Sequence, residues 1–68
     1  MREYWHSTNF KPEDYKDVIV VDLTGNEYDN HYWNGSCYYE YVENDDGSCD
    51  GYRSEVDIGG WRYKDGTF

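Results

Sequence analysis

Between Thr24 and Gly66 the chain is interrupted at short intervals by residues that reverse a backbone: Thr24-Gly25-Asn26, Asn34-Gly35, Asp46-Gly47, Gly59-Gly60 and Asp65-Gly66. Asn-Gly and Asp-Gly favour two-residue type I′ hairpins, because both central residues of that turn take positive φ. Turns this close together leave room for short antiparallel strands and none for the long crossover that a parallel pair requires. The intervening segments read as strands at 17–23, 27–33, 36–43, 49–57 and 61–64. Composition supports this: 14 residues are aromatic (nine Tyr, three Trp, two Phe), the aliphatic set is five Val, two Ile and one Leu, and there is no Ala. β-branched and aromatic side chains suit strands, whereas helices favour Ala and Leu. The expected fold is all-β, a small antiparallel meander of four to five strands in a single domain over residues 1–68. One short N-terminal helix is an admissible addition, because Phe10-Lys11-Pro12-Glu13-Asp14-Tyr15-Lys16 places Pro and acids where a first helical turn accepts them.

Each two-residue turn also fixes a register, and a register assigns side chains to faces. A turn at Asn34-Gly35 pairs Tyr32 with Cys37 and His31 with Tyr38; one at Asp46-Gly47 pairs Tyr41 with Tyr52; one at Gly25-Asn26 pairs Leu23 with Tyr28 and Ile19 with Tyr32. All three agree on one apolar face: Ile19, Val21, Leu23, Tyr28, Tyr32, Cys37, Tyr39, Tyr41, Tyr52 and Val56. That face is the expected core. The opposite face then carries Asp22 opposite Asp29 and Asp29 opposite Glu40, with Glu27 alongside and Val18, Val20, His31, Trp33 and Tyr38 toward the other end. Like charges directly opposite one another destabilise a sheet, so such a row calls for a role other than folding.

The charge count is as uneven as the turns. Fifteen acids against six bases give a formal charge of −9, and the stretch from Asp17 to Tyr52 holds nine acids (Asp17, Asp22, Glu27, Asp29, Glu40, Glu43, Asp45, Asp46 and Asp50) with no Lys or Arg. Six acids meet six bases outside it. An anionic field of this size argues against direct contact with nucleic acid or an anionic membrane. It steers association toward a basic partner instead. No window of apolar residues is long enough to cross a membrane as a helix, and Met1-Arg2-Glu3-Tyr4-Trp5-His6 lacks the apolar run of a secretory signal, so a cytoplasmic location is expected.

Catalytic and metal readings find little to stand on. Cys37, Cys49, His6 and His31 are possible zinc ligands, but there is no Cys-x-x-Cys and no close His pair. The registers place the two cysteines on different faces, which disfavours a disulfide. Aligning Asn44-Asp45-Asp46-Gly47-Ser48-Cys49-Asp50 with a calcium loop puts Val42 and Arg53 where oxygen ligands are required. Neither metal nor cofactor is expected, and no nucleophile–base pair suggests an enzyme.

In size, acidity and aromatic content the chain resembles the small inhibitors that bacteriophages encode against host nucleic-acid enzymes: anti-CRISPR proteins, anti-restriction DNA mimics and uracil-DNA glycosylase inhibitors. The resemblance is one of composition and transfers no functional residue. It implies a non-enzymatic inhibitor, acting in the host cytoplasm, that imitates nucleic-acid charge and blocks a basic groove on a nucleic-acid-processing protein. Carboxylates two apart on a strand lie roughly 6.6–6.8 Å from one another, a coarse match to a phosphate track. The expected partner-binding residues are Asp22, Glu27, Asp29, Glu40, Glu43, Asp45 and Asp46 for charge, with Trp33 and Tyr38 as aromatic anchors. The competing expectation is a protein–protein module or assembly subunit that uses an aromatic end formed by Trp33, Tyr38, Trp61 and Tyr63, with the acids merely solvating. An open sheet edge also admits a homodimer.

Overall fold

The computed structural model describes residues 5–66. Five antiparallel strands form one sheet: β1 (Asp17–Asp22), β2 (Glu27–Trp33), β3 (Tyr38–Glu43), β4 (Cys49–Arg53) and β5 (Ile58–Tyr63), in the spatial order β4-β3-β2-β1-β5. The first four are a meander, and β5 returns to pair with β1. The segment expected as one strand over 49–57 is divided, because Ser54–Asp57 leaves the edge at β4 and crosses to the other edge. Val56 in that link packs against Val18, Val20 and Trp61, so the sheet rolls around the face that carries these three residues.

The turns differ from the two-residue hairpins expected of them. Asp22 N–H donates to Asn26 O and Gly25 N–H to Asp22 O, with Gly25 at φ +97°, which makes Leu23-Thr24-Gly25 a three-residue loop ending in a left-handed glycine. Asp45-Asp46-Gly47 repeats the arrangement, with Gly47 at φ +88° and bonds from Asn44 N–H to Ser48 O and from Gly47 N–H to Asn44 O. The Asn34-Gly35 connection is a four-residue loop between the paired Trp33 and Tyr38. An odd loop length shifts a register by one and moves every side chain of the following strand to the other face. Tyr52 therefore pairs with Glu40 rather than with Tyr41. The three-residue loop after Asp22 pairs Tyr28 with Val20 rather than with Leu23, and in β2 the interruption at Asn30, φ +60°, then shifts the ladder by one so that His31 faces Val18.

The expected core face is the outer one. Val18, Val20 and His31 are fully buried, Trp61 is 3% exposed and Trp33 9%, whereas Leu23 is 76% exposed and Tyr52 54%. Tyr32, Tyr39 and Tyr41 form a half-buried stack on the outside, with ring centroids 5.7 Å apart for Tyr32–Tyr39 and 6.4 Å for Tyr32–Tyr41. Valine and tryptophan fill the interior, while the tyrosines keep one edge wet for their hydroxyls. Gly51 lets Tyr32 lie across the sheet: a Cβ there would stand 2.8 Å from the Tyr32 hydroxyl.

The admissible N-terminal helix does not form. Residues Phe10–Lys16 run over the mouth of the core, where Tyr15 N–H donates to Trp33 O at 2.6 Å and Asp14 bridges Trp33 in parallel fashion. Phe10 O accepts the Trp61 indole N–H at 2.7 Å, and Pro12 is buried. Backbone groups that a helix would bond internally are instead committed to β2 and to Trp61. The His6 ring stacks on Trp61 at 4.4 Å.

Candidate functional site: an acidic arm and groove

The β2–β3 ladder ends at His31↔Glu40, but β3 continues to Glu43 paired only with β4. Beyond Tyr41 and Gly51, which still touch Tyr32, residues 42–50 extend as a two-stranded arm. All five residues of β4 are exposed. The arm carries Glu43, Asp45, Asp46 and Asp50 and no base, and no described residue forms an ion pair with any of the four.

Beside the arm, the inner face opens into a groove of about 380 Å³ lined by Asp22, Glu40, Glu55 and Asp57 together with Tyr28 and Val56. Register explains its contents. Pairing of Glu40 with Tyr52 and of Val42 with Asp50 puts these four side chains on the inner side, in line with the groove, while Tyr28 reaches it through the three-residue loop after Asp22.

The acids expected to bind a partner separate into several groups. Asp22 ties the β1–β2 turn: Oδ1 accepts Thr24 N–H, the Thr24 hydroxyl and Asn26 N–H at 2.7–2.9 Å, and Oδ2 accepts the Tyr28 hydroxyl at 3.0 Å. The Thr24 hydroxyl, assisted by the two backbone N–H groups, holds its carboxyl well below the usual carboxylate range. Asp46 does the same for the arm tip through Ser48, whose hydroxyl lowers its pKa. Glu27 pairs with Arg62 at 3.3 Å and Asp29 with Lys64 at 3.2 Å. The Asp29 carboxyl is lowered first by Asn30 N–H and then by Lys64. Glu40 lines the groove, and Glu43 and Asp45 stand on the arm.

Three expectations are corrected by these positions. The row Asp22–Asp29–Glu40 does not exist, because Glu40 lies opposite His31 and Asp29 sits at the interruption of β2. Trp33 is an interior residue, in edge contact with Tyr38 at 4.9 Å, and is not an exposed anchor. Tyr38 is half-buried and its hydroxyl has no hydrogen-bond partner among the described residues; burial pushes its pKa up to about 12. Trp61 is likewise interior, which dismantles the aromatic end. Sequence reasoning missed Asp50, Glu55 and Asp57 as members of the acidic surface, because only the correct β3–β4 register and the crossing link bring them to it.

The other chemistry-bearing residues have structural surroundings. His31 Nδ1 lies 2.8 Å from Asp29 O and Nε2 2.8 Å from Ser54 Oγ, which accounts for a fully buried imidazole. Cys37 and Cys49 are free thiols, and among the described residues no group of three or more His, Cys, Asp or Glu is placed to hold a metal ion. No helix among the described residues is long and apolar enough to cross a membrane. Compared with protein-family models, curated proteins and solved structures, the chain matches none.

Proposed function

We propose that this protein is a non-catalytic acidic binding protein, of the nucleic-acid-mimicking inhibitor type, that sets its β3–β4 arm and the adjoining groove against a basic surface on a nucleic-acid-processing protein. The single observation that carries this reading is the distribution of ion pairs. Among the described residues Glu13, Glu27, Asp29 and Asp65 each have a lysine or arginine within 3.6 Å, whereas Glu43, Asp45, Asp46 and Asp50 form no ion pair. Arg62, Lys64 and Lys16 thus pair with acids on one side of the molecule, while the arm on the other side carries acids alone, which favours fast, salt-sensitive association with cations. Val42 on the arm and Tyr52 at its base, both exposed, supply contact area that charge alone lacks.

The test is affinity purification from cells followed by competition. A partner recovered on the tagged protein should be basic, should release it as ionic strength rises, and should lose its nucleic-acid binding in its presence. A partner that binds equally well at low and moderate ionic strength and keeps its nucleic acid would contradict the reading. A second reading is a protein–protein module using the outer tyrosine stack, and it is favoured by Tyr15, 73% exposed with its ring 5.9 Å from Tyr32. That reading predicts binding that is insensitive to salt and lost on Tyr39→Ala.

A further inference from the structure

The two edges of the sheet are treated differently. On β5, His6 closes the outer side with a pair of backbone bonds, His6 N–H to Trp61 O at 2.8 Å and Trp61 N–H to His6 O at 3.1 Å, and the ladder with β1 is irregular at Asp22. The β4 edge carries none of these protections. Its register with β3 is unbroken from Glu43↔Cys49 to Tyr39↔Arg53, and it contains no Pro, no Lys and no bulge, the usual devices that blunt an edge.

The direction of its backbone groups follows from its two ends. Ser48 C=O accepts from Asn44 and Ser54 N–H donates to Tyr38 O, so both face β3. Alternation along an antiparallel strand then turns Asp50 and Tyr52 toward β3 and leaves the N–H and C=O of Cys49, Gly51 and Arg53 pointing outward. Among the described residues nothing pairs with them. Three adjacent outward residues amount to a template for one more strand.

Charge identifies what can occupy it. A second copy paired β4 to β4 would bring two arms together, each with Glu43, Asp45, Asp46 and Asp50 against the single base Arg53 at the end of β4. The same field attracts a cationic chain. Side chains of an added strand would meet Asp50 and Tyr52 on the inner side and, on the outer side, the bare Gly51 beside the Tyr32 hydroxyl. We propose that β4 accepts an extended Lys- or Arg-bearing segment of a partner protein as a sixth strand. This rests on the acidic-arm reading and adds the mode of recognition: backbone pairing supplies the docking geometry, and the carboxylates select the sign of charge.

The probe is a ten-residue peptide alternating lysine with threonine, followed by NMR and amide exchange on the whole protein. Binding should slow exchange at Cys49, Gly51 and Arg53. A peptide of the same sequence N-methylated at alternate residues should bind about tenfold more weakly or worse. Cys49→Pro removes an outward N–H without touching a β3 bond and should weaken binding similarly, whereas Cys49→Ser should not. Equal binding of the two peptides, unchanged exchange at the three amides, or no binding at all would overturn the proposal. So would a peptide-free dimer that protects the same amides. The two readings fail separately. If the variant Glu43→Gln/Asp45→Asn/Asp50→Asn still binds the peptide with slowed exchange, the acidic reading falls and the pairing stands. If that variant loses binding but the wild-type amides never slow, the pairing falls.

Discussion

The two sides of the sheet divide stability and charge between them. Around β1 and β5 lie the buried Val18, Val20 and Trp61, the N-terminal cover and every ion pair among the described residues. The β3–β4 arm has its own ladder, two turn-capping carboxylates' worth of local bonding at Asn44–Asp50, and an exposed surface of one sign. A small chain can present uncompensated charge only where little packing depends on it. The difference teaches that the arm can be altered, or can fray, without loss of the body, and that the body tolerates no such change.

The largest expected effect lies in the body. Trp61→Ala removes the centre of the core and should cost about 3–5 kcal/mol. Against a total stability of about 3–10 kcal/mol for a domain of this size, that unfolds much of the population. Val42→Ala on the arm should cost no more than about 0.5 kcal/mol, and urea unfolding of both variants checks the contrast. Next, Ser54→Ala leaves the buried Nε2 of His31 without its partner and should cost about 1–3 kcal/mol by the same measurement. Gly25→Ala and Gly47→Ala place a side chain at positive φ with nothing within 4 Å to hinder it, so each carries only a backbone strain of about 1–2 kcal/mol. Hydrogen exchange distinguishes them: Gly47→Ala should speed exchange in the arm alone, whereas Gly25→Ala should also loosen β1. If both variants speed exchange throughout, arm and body are one cooperative unit.

The smallest effect is in pH dependence. The Asp22 carboxyl is lowered in the fold, so its contribution is present above the unfolded value of about 3.9 and is lost as pH falls through the folded value. Thermal melts should therefore show the wild type losing stability below about pH 4, with Asp22→Asn less stable at neutral pH and flatter in that range. The Tyr38 hydroxyl, raised to about 12 by burial, works at the other end: its contribution is present below about pH 10 and is lost as pH rises toward 12.

The first three strands were legible in the sequence because glycines and β-branched or aromatic runs act locally, whereas Gly59-Gly60, expected as a turn, lies inside β5, which begins at Ile58 rather than at residue 61. The choice of inner face was not legible. Val18, Val20, His31, Trp33 and Tyr38 share a face in the expected registers as they do in the fold, and the one-residue differences at Gly25, Gly47 and Asn30 move only Tyr28 and Tyr52 to that side. The tyrosines outnumber the valines and drew the core assignment to the wrong side. What overrides their number is Trp61, brought over Val20 by β5, and Val56, brought across by the link from β4. The acidic character of residues 17–52 was legible as well, but its location was not. Arg62 and Lys64, remote in sequence, reach Glu27 and Asp29 and neutralise β2, so that among the described acids without an ion pair only Asp14 and Asp17 lie outside the arm and groove.

Neutralising three acids on the arm, or three on the opposite side, separates the two regions. The arm variant Glu43→Gln/Asp45→Asn/Asp50→Asn and a control of equal charge change, Glu13→Gln/Asp14→Asn/Asp65→Asn, would be compared for affinity to the partner captured by the wild-type protein. The arm variant should lose most of its affinity and its salt dependence while the control retains both. Equal losses from the two variants, or an arm variant that binds as the wild type does, would contradict the acidic-arm reading.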